Sequence, residues 1–225
     1  MSITICRAGP TWPGPASWRA DSRRPFGMLN LEPGLSAALQ RRYLELARAA
    51  AERHLGLARA KIPDRWPPGP RCFGGLFVTY CSGPTLRGCV GTFVPTTDLW
   101  QAIQDVAIAA MGDPRFADRP ITATDLPTLR IELSLLSELM PATEPHLVLK
   151  PGVHGIVVRR GDQSGCFLPK VAEQRAWTAE EFLSNCCTMK AGLPHDAWRQ
   201  PGTDVLLFTA TVVAGDGPGQ PPAGL

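Results

Sequence analysis

The sequence predicts an α+β protein, a mixed or antiparallel sheet with flanking helices. Three observations carry this prediction. Two strand pairs are separated by turn signals, Ser82-Gly83-Pro84 and Gly161-Asp162-Gln163-Ser164, and hairpins impose antiparallel pairing. The stretch Leu129 to Leu135 alternates apolar and polar residues without a break, as a half-buried strand with one polar face does. Few segments repeat apolar residues at helical spacing, too few to stand between successive strands of a doubly wound parallel sheet.

The elements follow in order. Met1 to about Gly34 reads as a flexible extension with prolines, two tryptophans and scattered arginines. The folded body spans about residues 35–214. A first helix runs from about Leu35 to Leu55, capped by Ser36, with Leu39, Tyr43, Leu46 and Ala50 on one face. Pro63 to Pro70 is a proline-rich loop. Gly75 to Tyr80 and Thr85 to Phe93 form the first hairpin. A second helix spans about Asp98 to Met111, with Thr97 as cap, Asp98 at its positive end and Gly112 at C′. The alternating strand follows. Val153 to Arg160 and Gly165 to Leu168 form the second hairpin. Thr178-Ala179-Glu180-Glu181 is a capping box for a last helix, whose Phe182, Cys186 and Met189 share a face. Asp204 to Val213 reads as one final strand, apolar enough to be central. Residues 215–225 form a tail with nothing to bury.

Composition narrows the function classes. Hydrophobic residues make up 44% and charged residues 19%, the balance of a soluble globular protein. The formal charge of +3, without a basic stripe interleaved with aromatics, argues against nucleic-acid binding. No apolar run approaches the roughly 18–20 residues of a membrane span. The N-terminus lacks the apolar core of a signal peptide, so a cytoplasmic location and reduced thiols are expected for the seven cysteines. No Cys-x-x-Cys pair, phosphate loop, Gly-x-Gly-x-x-Gly, Gly-x-Ser-x-Gly or His-Glu-x-x-His occurs, so neither cofactor nor metal is expected.

The segment Leu86-Arg87-Gly88-Cys89-Val90-Gly91-Thr92 concentrates the candidate chemistry. Glycines at 88 and 91 suggest a crowded or bent backbone with room at the thiol. Arg87 supplies a cation that would favour a Cys89 thiolate. The functional reading is a nucleophile or redox thiol; the alternative is a small buried residue in a strand. A base is required, and His154, between glycines at a strand start, is the best candidate beside a structural reading. Glu132 can orient a histidine, bind a ligand or pair with Arg87. Asp113 and Arg115, after the second helix, can bind an anion or simply stiffen a loop. Lys170 can hold an acidic ligand or lie solvated.

Taken in order, these pieces resemble the AMME-syndrome candidate family, whose prokaryotic members are called AmmeMemoRadiSam system protein A. They are Gly75-Leu76-Phe77-Val78-Thr79, Leu86-Arg87-Gly88-Cys89-Val90-Gly91-Thr92, Asp113-Pro114-Arg115-Phe116, Ile131-Glu132-Leu133-Ser134-Leu135-Leu136-Ser137, Gly152-Val153-His154-Gly155 and Leu168-Pro169-Lys170-Val171. Lys190-Ala191-Gly192-Leu193-Pro194 follows the last helix. The resemblance implies an α+β fold with a larger and a smaller lobe around a cleft holding the Arg-Gly-Cys segment. It also implies partnership with a Memo-like protein and a radical S-adenosylmethionine protein. Three departures stand out. Many relatives carry aspartate at His154 and glutamine at Lys170, and Ser184 to Met189 is one residue longer than the family pattern.

Two functional readings follow. The first is an enzyme acting on a small anionic substrate, with catalytic residues Cys89, His154 and Glu132. Its ligand-binding residues are Arg87, Gly88, Gly91, Thr92, Asp113, Arg115 and Lys170. The second is a non-catalytic subunit that binds a ligand or a partner through the same segment.

Overall fold

The computed structural model describes residues 35–57, 74–93 and 98–215. The expected N-terminal extension, the Pro63–Pro70 loop, the Thr97 cap and the tail beyond Gly215 lie outside these residues. The fold is α+β, with two antiparallel four-stranded sheets and flanking helices.

The first sheet has the strand order Thr85–Thr92, Gly75–Ser82, Arg130–Leu136, Ala210–Ala214. Helix α1 (Ala37–His54) begins where the Ser36 hydroxyl accepts the Leu39 N–H at 3.3 Å. Strands β1 (Gly75–Ser82) and β2 (Thr85–Thr92) form the first hairpin. Helix α2 (Leu99–Met111) is capped by Asp98, whose carboxylate accepts the Gln101 N–H at 3.1 Å. Gly112 closes α2 with an ordinary negative φ of −93°, so the left-handed turn expected there is not used. Both helices cover one face of the sheet. Tyr43, Leu46 and Ile103 pack there on Leu76, Val78, Val90, Leu133 and Leu135.

The second sheet has the strand order Met140–Pro141, Asp204–Phe208, Gly155–Arg160, Gln163–Phe167. Strand β3 (Arg130–Leu136) ends the first sheet's run, and the chain then enters β4 (Met140–Pro141). The short helix α3 (Pro145–Val148), the hairpin β5 (Gly155–Arg160) and β6 (Gln163–Phe167), α4 (Pro169–Arg175) and α5 (Ala179–Cys186) follow. Thr178 and Glu181 form the expected capping box at α5.

The predicted final strand is two strands. Residues Asp204–Phe208 form β7 in the second sheet, and Ala210–Ala214 form β8 in the first. The chain changes sheets at Thr209, beside the point where Ser137 leaves the first sheet. The Ser137 N–H donates to the Thr209 carbonyl at 3.0 Å, and the Thr209 N–H donates to the Ser137 hydroxyl at 2.9 Å. A continuous apolar run satisfies one long strand and two short ones equally, so sequence does not show the change of partner.

The polar side of β3 is also corrected. Glu132 and Ser134 are 7% and 1% exposed, because the second lobe packs over that face. Phe77, Cys89 and Leu136 on this side join the core of the second lobe, with Val157, Cys166, Phe167, Phe182 and Phe208.

α5 runs into a π turn, Cys187–Ala191. The wider turn breaks the helical phase. Phe182 and Cys186 remain buried, but Met189 is 54% exposed rather than in the core.

Candidate functional site at the lobe junction

The Cys89 site is built across three strands. Thr79 pairs with Cys89 on one side and with Glu132 on the other, so these side chains form a row facing the second lobe. The neighbouring row is Gly91, Phe77 and Ser134. The two glycines leave space for the protein itself. A Cβ on Gly91 would lie 2.2 Å from the Phe77 ring, and one on Gly88 would lie 2.1 Å from the Ala110 carbonyl oxygen of α2. The room expected at the thiol is therefore occupied.

Cys89 is 2% exposed, and the Thr79 hydroxyl lies 3.1 Å from its sulfur. Burial pushes the Cys89 thiol above its ordinary pKa; the Thr79 bond and the charges of Arg115 and Lys170 oppose this without reversing it. The thiolate expected beside Arg87 is thus disfavoured. The hairpin register explains why Arg87 does not act. Tyr80 pairs with Gly88 and Cys81 with Leu86, leaving Arg87 as the additional residue of a bulge. Its guanidinium meets Asp125 at 3.4 Å. The Thr122 hydroxyl and N–H, then Arg87, hold the Asp125 carboxyl below its usual range.

Asp113 and Arg115 act on the backbone of Cys89. β2 is an edge strand, and Cys89 turns its peptide groups away from β1. The Asp113 carboxylate accepts the Cys89 N–H at 2.9 Å, and Arg115 Nη2 donates to the Cys89 carbonyl at 3.0 Å. Arg115 Nε also donates to Asp113 at 3.0 Å. Burial alone would raise the Asp113 carboxyl, but the donors from Arg115 and Cys89 outweigh it and hold the group below its usual range.

Glu132 is paired across the lobes with Lys170, the second residue of α4, and its other oxygen lies 4.0 Å from Arg130. Lys190, which the sequence analysis did not single out, stands in the π turn with its ammonium 5.3 Å from the centre of the Phe167 ring. Burial and then the Arg115 charge push the Lys190 ammonium below its ordinary pKa. Thr79 was also missed. The clue was available in its alternation with Phe77 along β1, which places it on the Cys89 side.

His154 is buried in the turn before β5. Its Nδ1 accepts the Lys150 N–H at 3.1 Å. Burial and then the Lys150 charge lower its pKa, while a bond with the Val148 backbone partly opposes them. These contacts give the ring a role in its own turn. Thr92 ends β2 opposite Leu76. The structure thus gathers Cys89, Thr79, Asp113, Arg115, Glu132 and Lys170 at the junction, and directs Arg87 to Asp125. Among the described residues, no group of three or more His, Cys, Asp and Glu side chains could hold a metal, and no helix is long and apolar enough to cross a membrane.

The chain is similar to known proteins. A protein of Methanothermobacter thermautotrophicus is 40% identical over 185 residues, covering 79% of this chain and 94% of its own length. One from Thermofilum pendens is 38% identical over 204 residues, covering 83% and 92%. The crystal structure of uncharacterized protein PH0010 from Pyrococcus horikoshii superposes with a TM-score of 0.70 at 34% identity, over 80% of this chain and 92% of that one. The AMMECR1 family profile matches residues 44–213, and the chain belongs to the AMMECR1 family.

Proposed function

We propose that the protein is a binding subunit that takes a small anionic ligand, a carboxylate or a phosphate, where its two lobes meet. The observation that carries this reading is the ion pair between Lys170 of the second lobe and Glu132 of the first sheet. Glu132 is nearly buried, whereas Lys170 retains about a third of its surface and Arg130 more than a quarter. An incoming anion can therefore take Lys170 from Glu132 and meet Arg130 beside it. Arg115 and Lys190 add positive charge to the same junction. The thiol-enzyme reading ranks behind this one, because the Cys89 sulfur is enclosed, its pKa is raised and its backbone is clamped.

The family resemblance supplies the setting, a subunit that works with Memo-like and radical S-adenosylmethionine proteins. Calorimetric titration with inorganic phosphate and small mono- and dicarboxylates tests the binding role. Lys170→Gln is expected to weaken binding at least tenfold, and Glu132→Gln to strengthen it by releasing Lys170. Equal affinity in all three proteins, or no binding of any anion, overturns the assignment. Mixing the chain with its purified Memo-like and radical partners should give a stable complex without turnover by this chain alone.

A further inference from the structure

Natural sheets shield their edges, since an unpaired strand is a template for another. Three of the four edges here are sealed, short or closely packed by neighbouring chain. β2 is sealed at Cys89 by Asp113 and Arg115. β6 packs closely on the π turn: a Cβ on Gly165 would stand 2.4 Å from the Ala191 nitrogen. β4 is two residues long and ends in Pro141. The fourth edge, β8, reads Ala-Thr-Val-Val-Ala, with no charge, proline or bulge. Among the described residues, no strand pairs with its outer side.

The register identifies the groups on that side. The Ser137 N–H bonds the Thr209 carbonyl, and the Gly215 N–H bonds the Ile131 carbonyl at 3.1 Å. Bonded pairs alternate along an antiparallel ladder. Between these ends, Leu135–Thr211 and Leu133–Val213 are therefore the bonded pairs. Ala210, Val212 and Ala214, opposite Leu136, Ser134 and Glu132, turn their N–H and C=O groups outward. Val212 is also 48% exposed.

We propose that β8 pairs antiparallel with β8 of a second copy about a two-fold axis at Val212, joining two sheets into one of eight strands. The outward groups are spaced for this partner. Val212 meets Val212 of the second copy, and Ala210 meets its Ala214, so each residue with free peptide groups faces another such residue. The strand is nearly the same read in either direction, as an isologous contact requires.

Sedimentation equilibrium of the full chain over a wide concentration range tests the pairing. The wild type is expected at twice the chain mass. Val212→Lys, a lysine on an exposed edge position, is expected to halve that mass with unchanged circular dichroism. Val153→Lys, at a valine 52% exposed in the other lobe, is expected to leave the mass doubled. Hydrogen exchange should show the N–H groups of Ala210, Val212 and Ala214 protected in the wild type and open in Val212→Lys. A wild type that stays at the single-chain mass overturns the proposal, whether residues 1–34 or another protein's strand fills the edge. So does a Val212→Lys protein of doubled mass.

Discussion

The carboxylate of Asp113 holds the backbone N–H of Cys89 at 2.9 Å, closing an edge strand from a loop 24 residues downstream. Arg115 completes the closure at the Cys89 carbonyl. Replacing Asp113 leaves a buried N–H and a guanidinium without their acceptor. Asp113→Ala should cost about 2–3 kcal/mol, since a hydrogen bond to a charged group contributes roughly that much and the orphaned donor adds a penalty. Urea unfolding of the two proteins at neutral pH measures it.

The same carboxylate gives an acid dependence. Its folded pKa lies below its unfolded one, so its stabilisation is complete above about pH 3.9, the ordinary aspartate value, and is lost as pH falls through the folded value. The stability difference between wild type and Asp113→Asn should shrink steadily as pH drops below about 4. A difference that stays constant down to the acid transition would show that Asp113 keeps its proton equilibrium on folding.

Cys89 should be a slow thiol. Burial pushes both the Cys89 and Cys81 thiols above their ordinary pKa, but Cys89 is enclosed, whereas Cys81, two residues from Thr79 on the same strand, lies at intermediate burial. Native alkylation followed by peptide mass spectrometry should label Cys81 well before Cys89. Labelling of Cys89 at the rate of a free thiol near neutral pH would restore the nucleophile reading.

His154 should be replaceable by an acceptor. Its Nδ1 takes the Lys150 N–H, and an aspartate oxygen can do the same. His154→Asp should fold normally, while His154→Ala should lose about 1 kcal/mol. Because burial lowers the folded pKa, the neutral ring contributes stability above about pH 6.5, the ordinary histidine value, that declines as pH falls below it. His154→Asp should remove that decline in thermal melts between pH 7 and pH 5.

Ser137 should matter where the sheets meet. Its hydroxyl is the acceptor for the Thr209 N–H at 2.9 Å, and the serine is 5% exposed. Ser137→Ala should cost about 1–3 kcal/mol, the penalty of an unsatisfied buried donor, in thermal or denaturant unfolding. A neutral result would mean that water replaces the hydroxyl at the crossing.

Much of the local fold was legible. Ser36 as cap, the Thr178–Glu181 box, both hairpins and the apolar phase of β3 follow from spacing and backbone chemistry confined to a few residues. The site was legible as a list of motifs but not as an arrangement. Glycines at 88 and 91 announce close approach, yet only the structure tells whether a ligand, a ring or a helix end makes it. Arg87 stands two residues from Cys89, and a one-residue bulge was enough to send it to Asp125.

The amino-acid sequence by itself determined the α+β class, the hairpin pairings and the family, because these depend on interactions between near neighbours and on motif order. Tertiary structure alone decided that Asp204–Ala214 serves two sheets, that Glu132 belongs to Lys170, and that Cys89 is sealed rather than presented. The physical reason is shared: partner choice and burial arise between segments far apart in the chain. A second lobe laid over the polar side of β3 can enclose a thiol that every local feature would leave in water.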